Sequence, residues 1–214
     1  MTTISYQENY DWIADVHLQS VKSGQGNPWM PADVIEAFHR ATIVLIERYT
    51  GGSGRVLDAG CGIGELCQRM DSERFDLVGI DISSAYLRHA RERSPGVRFV
   101  HGKLEKLPFP AASFDMVVAT DVLEHVLHLD DVLRELLRVL KPGGHLIARV
   151  PVEPSIGGYL TPNPFPFVHV RRFDEADLVL LFTRCFACEV LETPLVYRPD
   201  GSPPPEIHAV VRKP

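Results

Sequence analysis

One stretch, Arg55-Val-Leu-Asp-Ala-Gly-Cys-Gly-Ile-Gly-Glu-Leu66, constrains the fold of this chain more than any other. Val56 and Leu57 close a short apolar run and Asp58 follows it. Gly60, Gly62 and Gly64 then alternate before Glu65-Leu-Cys-Gln-Arg-Met70, which reads as helix. A strand that turns into a helix through glycines lets a ligand touch bare backbone, since no Cβ stands in the way. The helix start also presents N–H groups with no partner inside the helix. This pattern marks a nucleotide-type site at the carboxyl end of a parallel sheet. The glycine spacing narrows the ligand. A dinucleotide fingerprint places a small residue where Glu65 stands, so that pyrophosphate and helix approach closely. A carboxylate there disfavours pyrophosphate and suits a ligand without phosphates.

The rest of the chain alternates in the same sense. The pattern predicts strands over 55–58, 76–81, 97–101, 114–120 and 146–150, with helices over 65–72, 84–93 and 130–139 between them. Such alternation folds into a doubly wound, mostly parallel sheet with right-handed crossovers. Ahead of it, a helix over 11–21 and a second beginning at Ala32 are expected. In the second, Val34, Ile35, Phe38, Ala41, Val44, Leu45 and Tyr49 recur at helical spacing. Residues 1–50 thus form a helical cap and 51–150 the core. Residues 151–172 carry too many prolines and glycines for regular structure and read as a lid or substrate loop. Residues 173–214 supply a helix over 173–183 and strands over 187–192 and 206–212, seven strands in all.

At 214 residues the chain suits one domain with a proper core. Its net charge of −6, with no long basic run, argues against extended nucleic-acid binding, which rests on clustered Lys and Arg. The first residues lack the charged and apolar regions of a signal peptide. The longest apolar stretches, such as 41–46, are too short to span a bilayer. A cytoplasmic protein without a membrane partner is expected. Cys185-Phe-Ala-Cys188 has the spacing of a redox or zinc pair, but no second pair stands out to complete a zinc site. Buried or half-buried thiols are expected instead.

The glycine turn resembles the first motif of the class I S-adenosylmethionine (SAM) dependent methyltransferases, and the resemblance runs from about residue 55 to 186. Asp81, in Gly79-Ile-Asp-Ile-Ser83, ends the second strand. Gly102-Lys-Leu-Glu-Lys-Leu-Pro-Phe109, Thr120-Asp-Val-Leu-Glu-His-Val126 and Lys141-Pro-Gly-Gly144 match further family segments in the same order. The resemblance implies a Rossmann-like α/β fold of seven strands with an antiparallel last strand, and SAM as cofactor. Asp58, Gly60, Cys61, Gly62 and Gly64 would lie along it. Asp81 would accept the ribose hydroxyls, as an acidic residue does in dinucleotide sites. Ile82, Leu104 and Glu105 would meet adenine, and Asp121 would face the methionine end. The family usually carries an acidic residue where Lys103 stands, so Glu105 or the backbone must take that part.

Catalysis by such a protein is mainly alignment of an acceptor behind an activated methyl group, with water excluded. His125 and His169 are the candidate general bases, since imidazole titrates near neutral pH. His169 lies in an H-x-R-x-F segment that borders the substrate pocket in the family. The expected reaction is methyl transfer to a small molecule, with a hydroxyl oxygen preferred as acceptor. No metal site is assigned. Asp121, Glu124 and His125 fall within one turn and resemble the E-x-x-E-H metal ligands of some O-methyltransferases, so a metal-assisted nucleic-acid 2′-O-methyltransferase is one alternative. A catalytically silent partner subunit is another, and a homodimer is left open. A dehydrogenase is disfavoured by Glu65.

Overall fold

The computed structural model describes residues 6–28, 30–152, 169–201 and 206–214, with the side chains of residues 6–9 outside the description. Residues 153–168 of the expected lid lie outside it as well. The elements in order are α1 (Tyr6–Lys22), α2 (Ala32–Thr50), β1 (Gly54–Ala59), α3 (Glu65–Arg69), β2 (Phe75–Asp81), α4 (Ser84–Arg93), β3 (Arg98–His101) and β4 (Phe114–Thr120). There follow α5 (Leu129–Val139), β5 (Leu140–Pro151), α6 (Glu175–Leu180) running into a π-turn (Leu181–Cys185), β6 (Glu189–Glu192), β7 (Leu195–Val196) and β8 (Glu206–Arg212).

The sheet order is β3-β2-β1-β4-β5-β8-β6, parallel from β3 through β5, with β8 antiparallel to both of its neighbours. Strand alternation sorts the core into two layers. Leu57, Val117, Leu146, Ala148 and Ile207 point to one face, where Leu133, Leu136, Leu178 and Phe182 cover them. Val56, Met116, Val118, Ile147 and Val210 point to the other, under Leu45 and Ile46 of α2, Leu66 of α3 and Leu87 of α4. Helices therefore lie on both faces, as the continuous apolar strands require. No helix of the described residues is long and apolar enough to cross a membrane.

The structure corrects several expectations. Among the described residues the sheet has eight strands where seven are expected, because β7 pairs with β8 apart from β6. Glu192↔Val210 and Leu195↔Ile207 share one register, so β6 and β7 are a single edge strand interrupted at Thr193-Pro194, where proline has no N–H for the ladder. The helix after the glycine turn stops at Arg69, since Met70 is extended and Asp71 accepts from the Glu73 N–H in a tight turn. The helix expected from Phe173 starts at Glu175, where Asp174 and Asp177 form a reciprocal capping box. Lys141–Gly144 belongs to β5, as a bulge that shifts the β4–β5 register. Cys185 is exposed, not buried, whereas Cys61, Cys67 and Cys188 are buried, all four as free thiols.

Candidate active site

The site is built at the carboxyl ends of β1, β2 and β4, where the strand order reverses between β1 and β4. Gly60, Gly62 and Gly64 have φ of 81°, 51° and 78°, a region that L side chains seldom enter. Their neighbours differ. A Cβ on Gly60 would come within 2.4 Å of Val122 Cγ2, whereas one on Gly62 would meet nothing within 4 Å. Gly62 therefore borders open space and Gly60 a close approach. Gly64 faces Phe99 and Ala90 and does not line the groove, so its part is packing. Gly60→Ala should cost about 1–3 kcal/mol through strain and overpacking against Val122. A urea midpoint unchanged from that of the parent would show that the turn yields freely.

The groove has two lobes that share Gly60, Gly62, Tyr86 and Asp121. The apolar lobe, about 170 Å³, is lined by Ile13 of α1, Ile82, Leu104, Val122 and Val126, with Asp81, Lys103, Glu105 and His125 at its edges. Asp81 is 9% exposed and holds the turn itself. Its Oδ2 accepts from Gly62 N–H at 2.9 Å and its Oδ1 from Ser83 N–H at 2.8 Å. Burial nevertheless raises its pKa, the two N–H groups opposing the shift. Each oxygen keeps a lone pair for a further donor. Above the lobe, α1 is fastened to α4 by an edge-on contact of His17 and Tyr86 and a 3.1 Å hydrogen bond between them.

The polar lobe, about 200 Å³, is lined by Asp58, Cys61, Glu65, Thr120 and Asp121 from the sheet side and by His17 and His39 from the cap, with Arg149 between. Asp58 is buried, accepts from Cys67 Sγ at 3.5 Å, and is pushed up to about 7 by burial. Burial also pushes both thiols, Cys61 and Cys67, well up. Asp121 takes a left-handed backbone at φ 55°, a strained conformation for a non-glycine residue. That turns its carboxylate onto Arg149, with which it pairs closely. Burial works against its charge, but the guanidinium outweighs burial and holds the carboxyl below its ordinary range.

The same pairing alters the expected triad. Asp121 leaves Glu124 and His125, and His169 takes its place: Glu124, His125 and His169 each bring a ligand atom within 4.8 Å of the others. His125 Nε2 stands 3.8 Å from Glu124 Oε1, and the two imidazoles meet edge to face at 4.7 Å. Glu124 is 2% exposed; burial first, then the charge of Asp121, raises its pKa well above the usual range. His125 lines the apolar lobe. His169 does not, and reaches the site through His125. Arg171 secures this loop by donating to the carbonyls of Leu123, Val126 and Leu127, and Val170 N–H adds a bond to Glu124 O.

A doubly wound sheet with a glycine turn, a strand-end aspartate and a two-lobed groove at its switch point defines a Rossmann-like protein built for a nucleoside-bearing cofactor. A methyltransferase-domain family model matches residues 57–148. A probable S-adenosylmethionine-dependent methyltransferase of Mycolicibacterium smegmatis is 38% identical over 156 residues, 71% of this chain and 60% of that protein. A ubiquinone/menaquinone biosynthesis C-methyltransferase of Pseudomonas paraeruginosa is 35% identical over 153 residues, 67% and 59% of the two chains. The chain is thus similar to SAM-dependent methyltransferases, with the matched domain lying over the glycine turn and the strand ends that follow it. It spans about three fifths of the length of these two curated relatives. Among solved structures, a Burkholderia thailandensis 1,6-didemethyltoxoflavin N1-methyltransferase superposes with a TM-score of 0.74. At 19% identity over all of this chain and 92% of that one, it shows the shared fold.

Proposed function

We propose that this chain binds SAM in the two-lobed groove and transfers its methyl group to a small molecule, with a hydroxyl oxygen as acceptor. The single observation that carries the cofactor reading is the pairing of Gly62, whose missing Cβ leaves open space, with Asp81, which holds that same turn and still offers two carboxylate oxygens. Adenosine suits the apolar lobe, where Ile82 and Leu104 flank the space and Glu105 stands beside the exposed Lys103. The cofactor's sulfonium supplies an already activated methyl group. What this chain adds is alignment, exclusion of water and the handling of one proton.

The acceptor reading rests on the other end of the apolar lobe. His125 borders it, and its imidazole takes the proton of an acceptor hydroxyl. The buried Glu124 carboxyl lies 3.8 Å from the ring and His169 packs edge-on against it, so the imidazole is walled in on both sides. Of the three proteins named above, one is a C-methyltransferase and one an N1-methyltransferase, so the hydroxyl preference is drawn from these side chains alone. The net charge of −6 favours a small acceptor over a nucleic acid. Cytoplasmic residence and a homodimer remain part of this reading, drawn from the sequence.

His125→Ala is expected to lower turnover by roughly a hundredfold or more while SAM affinity stays within about threefold, in keeping with the usual scale of acid–base catalysis. His169→Ala should have a smaller effect in the same direction. Unchanged turnover in both, on a substrate found by acceptor screening, would remove the base assignment. One specific observation favours a second reading: the Glu124, His125 and His169 trio is a ligand set suited to a divalent ion. Under the base mechanism EDTA leaves turnover unchanged. Loss of activity with EDTA and its return with Mg²⁺ or Zn²⁺ would select the metal-assisted route.

A further inference from the structure

Arg149 is the one charge in the apolar run Leu146–Val150, and it sits on the inner side of β5 with 3% of its surface exposed. Thr120 of β4 lies opposite it on one side and His208 of β8 on the other. A guanidinium has five N–H donors, and burying them unmatched is costly. Nη2 is satisfied by Asp121, and Nε lies 3.8 Å from Glu206. Neither Nη1 nor Nε has a hydrogen-bond partner among the described residues, and only Nε has a carboxylate near it. Across the same lobe His39, 7% exposed on α2, has an Nδ1 in the same condition. Burial, with the charge of Arg149 second, holds His39 neutral with a pKa of about 3, so it offers a donor N–H rather than a second charge.

Both donors line the polar lobe. Asp58 and Glu65 line it as well, beside the glycine turn, while Asp121 is taken up by its pair with Arg149. A ligand whose nucleoside fills the apolar lobe, and which passes over Gly60 and Gly62, therefore ends beside a cation and acids alike. That polarity fits a zwitterion and neither an amine nor an acid alone.

We infer that Arg149 Nη1 and His39 bind the α-carboxylate at the amino-acid end of the cofactor, and so select complete SAM over nucleoside thioethers and sulfonium analogues that lack the carboxylate. The inference rests on the groove being the SAM site. Asp58 and Glu65 are left to the α-ammonium. Neither residue lies in the glycine turn or in the strand-end motifs, so selection of the amino-acid end comes from β5 and the cap rather than from the nucleoside-binding turn.

The test is calorimetric titration of SAM, decarboxylated SAM and 5′-methylthioadenosine into the parent, Arg149→Lys and His39→Ala proteins. The parent should prefer SAM over its decarboxylated form by about thirtyfold, the scale of a buried charge-assisted hydrogen bond. Each variant should shrink that preference to about fivefold or less, by weakening SAM while leaving the decarboxylated ligand unchanged. A parent that binds the two sulfonium ligands within about threefold would overturn the inference, whatever the variants do. So would variants that fold and keep the full preference, since the backbone of the turn would then be doing the reading. If none of the three ligands binds, the SAM site itself falls. If 5′-methylthioadenosine binds and the carboxylate makes no difference, only the present inference falls.

Discussion

Asp81→Ala is expected to weaken SAM binding by about a hundredfold or more, read by calorimetric titration. Hydrogen bonds to a charged group contribute about 1.5–3 kcal/mol each, and a ribose offers two hydroxyls to this one carboxylate. The substitution has a second effect in the same direction. Gly62 N–H loses its 2.9 Å acceptor, and Ser83 N–H loses its own at 2.8 Å, so the glycine turn is less ordered before any ligand arrives. Asp81→Asn separates the two contributions. An amide oxygen still accepts one backbone bond, so the turn is partly kept while the charge is lost, and an intermediate loss of affinity should follow. A titration showing unchanged affinity in the alanine variant would remove the ribose assignment.

Arg149→Met should destabilise the fold by about 3 kcal/mol, measured as a fall in the urea midpoint with an unchanged m-value. Removing one member of a buried ion pair usually costs 3–5 kcal/mol, because the other is left charged and unpaired. The lower end applies here because Asp121 exposes 37% of its side chain to the groove, where water can reach it. Glu206 needs no replacement cation, since burial, with the charge of Asp121 second, raises its pKa well above the ordinary range. The loss of the guanidinium above the Phe38 ring, 5.3 Å from its centroid, adds a packing contribution. Equal or greater stability in the methionine variant would mean that the ion pair is a cost the fold carries for binding, not a support.

Much of this was legible along the chain because it depends on residues close together in sequence. The turn at Gly60–Gly64 needed positive φ, and glycine spacing announces that directly. Asp81 stood out because an acidic residue ends the second strand 21 residues after Gly60, in step with the glycine turn. The residues expected at the cofactor, Asp58, Cys61, Ile82, Leu104 and Glu105, all border the groove; Asp58 lies inside β1 and the others follow strand ends that the apolar pattern located. What escaped depends on partners far apart. The single arginine in Leu146–Val150 was a visible signal. Its meaning came only from His39 on the cap and Glu206 and His208 on β8, which no local spacing could bring together. The triad over 121–125 failed for the same reason: a helical spacing rule cannot foresee that Asp121 adopts φ 55° and turns to Arg149. Gly64 and His169 were expected in the site by neighbourhood, yet neither lines the groove: Gly64 packs on Phe99 and His169 lies edge-on to His125.

The insertion of β8 between β5 and β6 bears on how the chain reaches this structure. Among the described residues β6 and β7 make no ladder with any strand but β8, and β8 follows them in sequence. The edge of the sheet beyond β5 can therefore close only after the segment Glu206–Arg212 has threaded in beside β5, so the assembly order runs against the order of the strands. Until then β5 presents an open edge with Leu146, Ile147, Ala148 and Val150 along it, a template for pairing with another chain. Contacts between distant segments also slow the search for the native state. Substitutions within β8 should accordingly slow refolding and raise aggregation, while those in β6 should mainly speed unfolding. That polarity, set by topology alone, makes β8 the kinetic keystone of the molecule.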